Sequence, residues 1–331
     1  MTEILRLNQQ INATSITLTA TPARDSQINL TLDLKMTQGE LPLSEGKVKY
    51  GLTGGTLKLT LQDAHFTDFS EEINHSLPIT KFPTADHPIW KFALAGGSGI
   101  IEVDLTGIPL GTITTASENW SLGATLTIGK SELFITETEG LWRHDLRPNK
   151  QAILYRKVAL FLLETYFPSP LVSLPSNEST VEIASPTEAE ISSLFTLIEQ
   201  IQESPSNEFF ELCEIASLNP KLDFAGANLR GTTLRGLDLS GVNWSRVNLR
   251  GADLTDVDFS QGNLQGAKLS GADLSGAYLS NANLKETDFH RASLALANLS
   301  GANLQGANLQ EANISQTNFS SCHLDGAIFD N

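Results

Sequence analysis

The sequence is short of the residues from which reactive and cross-linked sites are built. It has two cysteines, Cys213 and Cys322, and no CxxC pair, which excludes a disulfide framework and a cysteine-based zinc cluster. Both fall on positions that the periodicity below assigns to cores, so they read as small buried hydrophobes. The histidines, His65, His75, His87, His144, His290 and His323, include no two at metal-ligand spacing, and neither HExxH nor GxSxG occurs. The Gly-rich stretch LAGGSGII lacks the lysine of a phosphate loop and the GxGxxG spacing, and it reads as a hairpin turn. No catalytic, metal or cofactor set is legible, and the chain is expected not to be an enzyme.

Positive charge and long apolar runs are scarce as well. Against 38 acidic residues stand 22 basic ones, a net charge of −16. That argues against nucleic acid as a direct partner, since phosphate binding needs a basic surface, and it suits basic partners. The most apolar stretch, Val158 to Leu163, is flanked by Arg156, Lys157 and Glu164 and is too short to span a bilayer. The opening MTEILRLNQQINATS has no basic segment followed by an apolar run, so no signal peptide is expected and the location is read as cytoplasmic.

What is present in abundance is a repeat. Steps of five from Phe224 to Phe329 visit 22 positions, which hold 15 Leu, five Phe, Trp244 and Ile314. Two residues before each lies a smaller set dominated by 12 Ala, and between them stands mostly Asn or Asp. Small–polar–large is in–out–in, the alternation of a three-residue strand. The next two residues, often ending in Gly, suit a tight turn. Four such corners close a coil, so the segment forms about five and a half coils, a column roughly 26 Å long.

Runs such as GADLSGAYLSNANL and LSGANLQGANLQEANI resemble the pentapeptide-repeat family, with its A-[DN]-L-x-x consensus. The resemblance covers residues 222–331 and implies a right-handed quadrilateral β-helix. The lead-in FFELCEIASLNPKLDFAGANLRG is similar to the capping helix and entry of such proteins, many of which occur in cyanobacteria.

Residues 20 apart should stack on one face. Asn243, Asn263, Asn283 and Asn303 then form a ladder, Asp238 stacks on Asp258, Asp253 stacks on Asp273, and with Asp256 the aspartates make an acidic patch. Arg230 stacks on Arg250, with Arg235 and Arg246 nearby. The aspartates serve as a docking surface or a cation site, or they only satisfy local backbone groups as this repeat position commonly does. Tyr278 and Leu296 depart from the consensus at outward positions and are candidate partner contacts, as is Ile328. The last coil, near Leu324, Ile328 and Phe329, has no following helix to cover its core, and end-to-end homodimerisation through it is expected. The resemblance implies the same, since family relatives dimerise at their C-terminal ends.

Upstream, residues 158–220 carry ten acidic residues and no Lys or Arg. FPSPLVSLPSNESTVEIASP reads as a linker. Ser185-Pro186-Thr187-Glu188 reads as a capping box opening a helix, and a second helix is expected from Ser206 to Ser217. These two helices are expected to cap the first coil, with their acidic faces near the arginines. Residues 14 to about 137 alternate apolar and polar residues, as in QINLTLDLKM and TLKLTLQ, and predict an antiparallel β-sandwich. A helix from Asn149 to Tyr166 should pack across it through Ile153, Leu154, Val158, Phe161 and Leu162, leaving Arg143, Arg147, Lys150, Arg156 and Lys157 as a solvated basic run. The fold class is thus mainly β, with a sandwich over 1–145, helices and linker over 146–220 and the β-helix over 221–331.

A non-enzymatic protein–protein interaction or scaffolding role fits these features best. The resemblance also implies an alternative, a DNA-mimic regulator of a DNA-binding enzyme such as gyrase. Against it, residues 222–331 carry 11 acidic and seven basic residues, a net of −4. A third reading is a ligand-binding or enzymatic N-terminal domain, with carbohydrate on Trp90 or Trp120 as one form.

Overall fold

The computed structural model describes residues 5–11, 14–23, 26–43, 46–69, 79–82, 88–93, 102–116, 120–167, 173–174 and 186–330. In chain order the strands are β1 Leu5–Ile11, β2 Thr14–Pro22, β3 Gln27–Met36, β4 Gly39–Leu43, β5 Gly46–Leu52, β6 Gly54–Gln62, β7 Ala64–Phe69, β8 Ile79–Phe82, β9 Ile89–Ala93, β10 Val103–Thr115, β11 Ser121–Thr127, β12 Leu133–Glu139 and β13 Ser173–Leu174. The helices are α1 Pro148–Tyr166, α2 Glu188–Glu203 and α3 Phe209–Ile215. The LAGGSGII turn and most of the expected linker lie outside the described residues. Two compact units form: Met1–Pro42 with Lys47–Glu137 and Leu162–Pro186, and Leu43–Gly46 with Thr138–Phe161 and Thr187–Asn331.

In the first unit the period-two pattern produces strands as expected. Leu30, Leu32, Leu34 and Met36 of β3 alternate with more exposed residues and are buried, as are Leu57, Leu59 and Leu61 of β6. One sheet has the order β1-β2-β3-β10-β7 and a second the order β13-β11-β6-β9-β8. A small third sheet has the order β12-β5-β4. Every pairing whose register is described is antiparallel. Leu32 and Ile108 of the first sheet and Leu57, Trp90 and Phe92 of the second line one apolar space, so the sheets face each other as a sandwich.

Two glycine-rich spots have local causes. Gly54 and Gly55 open β6. A Cβ at Gly55 would lie 2.5 Å from the Phe92 ring, so the close approach of β9 demands glycine there. In β10 the register with β3 shifts between Leu105 and Ile108, and Gly107 takes φ +65° while its N–H donates to Asp33 Oδ1 at 2.7 Å.

In the second unit, Asn228↔Asn248↔Lys268 and parallel bridges of the same 20-residue spacing run through the repeat to Asn308↔Ile328. Leu229 N–H donates to Asn248 C=O at 2.8 Å, and Asn248 N–H donates back to Ala227 C=O at 2.9 Å, so each coil pairs with its neighbours on both sides. The large residues from Phe224 to Leu309 are at most 2% exposed, and the alanines beside them are buried too. Polar exceptions inside are satisfied: the Thr232 hydroxyl donates to Leu229 C=O at 2.8 Å and that of Thr287 to Leu264 C=O at 3.1 Å.

The entry to this column is plugged by an aromatic cluster. Phe209 of α3 lies 5.1 Å from the Phe224 ring and 6.0 Å from Trp244, which stacks in turn on Phe259 at 5.6 Å. Trp244 Nε1 donates to Pro220 C=O at 2.7 Å. The helix preceding this cap starts two residues later than the sequence suggested. Thr187, not Ser185, is the N-cap of α2, and its box closes with Glu190, which places Glu188 and Glu190 together in the first turn where the helix dipole favours acid.

The basic run on α1 is not uniformly solvated. Arg143 and Arg147 are exposed, whereas Lys150 and Arg156 are buried. Lys150 donates to Gln202 C=O at 2.9 Å and Ser204 C=O at 2.6 Å, and Arg156 Nε donates to Asp223 C=O. Burial pulls the Arg156 guanidinium down to about 10, with Asp223 opposing the shift, so it stays charged at neutral pH. Asn149 is the third anchor. Its Oδ1 accepts from Thr233 N–H at 2.9 Å and its Nδ2 donates to Thr233 C=O at 3.0 Å, so one amide side chain pairs with the first coil as a preceding coil would.

These contacts predict unequal losses on truncation. Phe209→Ala should cost about 3–5 kcal/mol by opening a cavity at the plug. Asn149→Ala should cost about 1–3 kcal/mol by orphaning three backbone groups, Thr233 N–H, Thr233 C=O and Asn207 C=O. Chemical denaturation followed by tryptophan fluorescence, which Trp244 reports directly, checks both.

Candidate functional site

The outward residues of the β-helix form continuous columns. Asp238, Asp258 and Tyr278 stack on one side, and Asp253 stacks on Asp273 on the adjoining side, as the 20-residue period predicted. Asp256 occupies the corner between those sides. The Asn ladder forms too: Asn263 Nδ2 donates to Asn243 Oδ1 at 3.1 Å, Asn283 Nδ2 donates to Asn263 Oδ1 at 3.0 Å, and Asn303 bridges to Asn283.

Each outward Asp or Asn does the same local work. Its Oδ1 accepts the N–H two residues on: Ser240 to Asp238 at 2.9 Å, Ser260 to Asp258 at 2.8 Å and Ser275 to Asp273 at 3.0 Å. Asn263 accepts from Gln265 N–H at 3.2 Å in the same way. An amide therefore satisfies the fold as well as a carboxylate does, and charge is the difference an aspartate adds. Hydrogen bonds from the Ser240 hydroxyl and N–H hold the Asp238 carboxyl below its usual range, with Lys221 adding to the effect.

Base and acid are interspersed around the column. Lys268 faces opposite to Asp238 and Asp258, Arg230 and Arg250 sit at the corner that leads from the Asn248 side to the Asp253–Asp273 side, and Arg235 sits at the corner between the two aspartate-bearing sides. The ion pairs of these arginines run within the column rather than to α2 and α3. Arg235 lies 3.7 Å from Asp256, Arg250 lies 3.8 Å from Asp288, and Arg250 Nε also donates to Ser270 Oγ at 3.0 Å. Twenty-residue stacking supplies those partners before any helix comes within reach. Further along, Arg291 pairs with Glu311 at 2.8 Å.

The exposed large apolar residues include those the sequence singled out and also Leu222, which is 61% exposed although the period places it inward. Tyr278 is 54% exposed, Leu296 64% and Ile328 49%. Leu296 holds a corner at φ +63°, a conformation costly for a residue with a Cβ, one coil beyond Gly276. In the last coil the inward residues lose their cover: Ile314 and Leu324 are each 38% exposed, and Phe319 and Phe329 are half-buried with rings 6.3 Å apart. In the sandwich, Trp90 does not offer a surface for carbohydrate. It is buried, with its ring 5.9 Å from Phe66, because it faces the core side of β9. Trp120 is half-buried. Among the described residues no cluster of His, Cys, Asp or Glu could hold a metal ion, and no helix is long and apolar enough to cross a membrane.

The family model for pentapeptide repeats matches residues 223–261, 262–301 and 297–331, with 8 copies. Residues 223–331 are pentapeptide repeats. Among solved structures, the pentapeptide-repeat segment is similar to Rfr23 of the cyanobacterium Cyanothece 51142, at 34% identity over 28% of this chain and 64% of that one, with TM-score 0.28. A pentapeptide repeat protein from the Arabidopsis thaliana thylakoid lumen is 37% identical over 30% of this chain and 65% of that one, with TM-score 0.25. QnrB1, a plasmid-mediated fluoroquinolone resistance protein, is 19% identical over 33% of this chain and 62% of that one, with TM-score 0.23. The chain thus spans a little under two thirds of the length of each of these pentapeptide-repeat proteins. No curated protein was found to match it.

Two measurements probe the local chemistry of the pentapeptide column. Leu296→Gly should raise stability by about 1 kcal/mol, since glycine adopts the left-handed corner freely; thermal unfolding reads this. Burial pushes the Cys213 thiol up to about 12, so it should resist iodoacetamide at pH 8 in the folded protein. The less buried Cys322 should alkylate slowly, and both should label in denaturant, as mass spectrometry would show.

Proposed function

We propose that this protein is a non-enzymatic scaffold whose pentapeptide β-helix presents rigid surfaces to protein partners. One observation carries the reading: large inward side chains are buried from Phe224 to Leu309 and then become exposed in the coil of Ile314, Phe319, Leu324 and Phe329. An apolar surface of that kind, with Ile328 at its rim, is stabilised by contact with another apolar surface. A second copy presents the same apolar end and can cover it. The homodimer joined through these ends is the first partner we expect, and the outer columns remain free for others.

Size-exclusion chromatography with light scattering tests the dimer. The wild type should run as a dimer at micromolar concentration, and Ile314→Asp with Leu324→Asp should run as a monomer. A wild type that stays monomeric removes the end-on contact. The scaffold reading itself fails if the intact protein, cross-linked in its native lysate, yields no protein partner of any kind.

A further inference from the structure

We infer that the side of the β-helix carrying Asp238, Asp258 and Tyr278 is a docking surface for an extended lysine- or arginine-rich protein segment that bears an apolar anchor residue. The inference rests on the scaffold reading above and names the chemistry of one partner. Three independent observations converge on this side.

Acid here is not required by the fold. The turn bond that Asp258 accepts from Ser260 is made equally by Asn263 with Gln265. Aspartate at Asp238, Asp253, Asp258 and Asp273, where amide would serve, adds only negative potential. Lys268 faces the opposite direction, and at the corner between the two aspartate-bearing sides Arg235 pairs with Asp256 at 3.7 Å, which leaves Asp253, Asp258 and Asp273 as the carboxylates open to a partner.

The acidic coils lead directly to apolar exposure. Tyr278 is the next member of the Asp238–Asp258 column, and Leu296 stands at the same corner column as Asp256 and Gly276. Both are more than half exposed. A leucine that is exposed and also strained in its backbone gains nothing from the fold at that place. An aromatic and an aliphatic anchor beside a charged field is the composition of a contact in which charge speeds and orients the encounter and apolar burial holds it.

At its other end the same side runs into an open groove of about 620 Å³, lined by Phe210, Leu218, Pro220, Lys221 and Asp238. Carboxylates repeat over two coils on this side, at Asp238 and Asp258, and over two on the adjoining side, at Asp253 and Asp273. An extended chain with cationic side chains follows such a track, whereas a globular surface would meet it only at one point.

The test uses the full chain and a fluorescent synthetic peptide of alternating lysine and leucine, at physiological ionic strength, with anisotropy as readout. Tyr278→Ser with Leu296→Gly should weaken binding about tenfold. Asp253→Asn, Asp258→Asn and Asp273→Asn together should weaken it by a similar factor and flatten its salt dependence, with the turn bonds kept. Lys268→Gln, on the opposite side, should leave affinity unchanged. A lysine-only peptide should bind more weakly than the lysine–leucine peptide. Equal binding of the two peptides, or equal losses from variants on both sides, overturns the docking surface. If it is overturned while the end-on dimer still forms, the scaffold reading survives; if neither contact is found, both go.

Discussion

The hydrogen bond between residues one coil apart governs the second unit. A bond such as Leu229 to Asn248 and its return partner from Asn248 to Ala227 exist only if every coil contains the same number of residues. An insertion of one residue would shift every later residue out of register with its partner one coil away. This explains why the interior tolerates Thr, Val, Gly or Trp244 in place of Ala or Leu but the spacing never changes. Size is negotiable inside the column and count is not.

The same constraint made that region readable. Period five identified which residues point inward, which stack and which corners turn, and the bridges reproduce those columns. The capping role of α3 was also legible, from an apolar face that needed a home. What escaped reading was polar. Nothing in the sequence around Asn149, Lys150 and Arg156 distinguishes a solvated basic helix face from one whose side chains reach backbone carbonyls far along the chain. Such contacts depend on where two distant segments meet, and periodicity carries no information on that.

In the sandwich, strands with strict alternation were legible, and the exact use of glycine was not. Gly55 looks like a break in the pattern, yet it lies in β6, where the ring of Phe92 on the neighbouring β9 leaves no room for a Cβ. Trp90 looked like a platform for a ligand because tryptophan suits both surfaces and cores; only its neighbours decide. The exposed apolar residues of the β-helix were easier to read. Tyr278, Leu296 and Ile328 announced themselves as departures from a rule, and departures from a strong rule are easier to read than residues in a region that has none.

The amide of Asn149 has a consequence for how the molecule can change its length. By pairing with both backbone groups of Thr233 it ends the column on one side, and Phe209 seals the interior beneath it. Between that seal and the far end, each coil meets only copies of itself. Twenty residues could be duplicated or removed there and the joins would still match, which makes the interior of the rod an adjustable spacer hung from a fixed anchor.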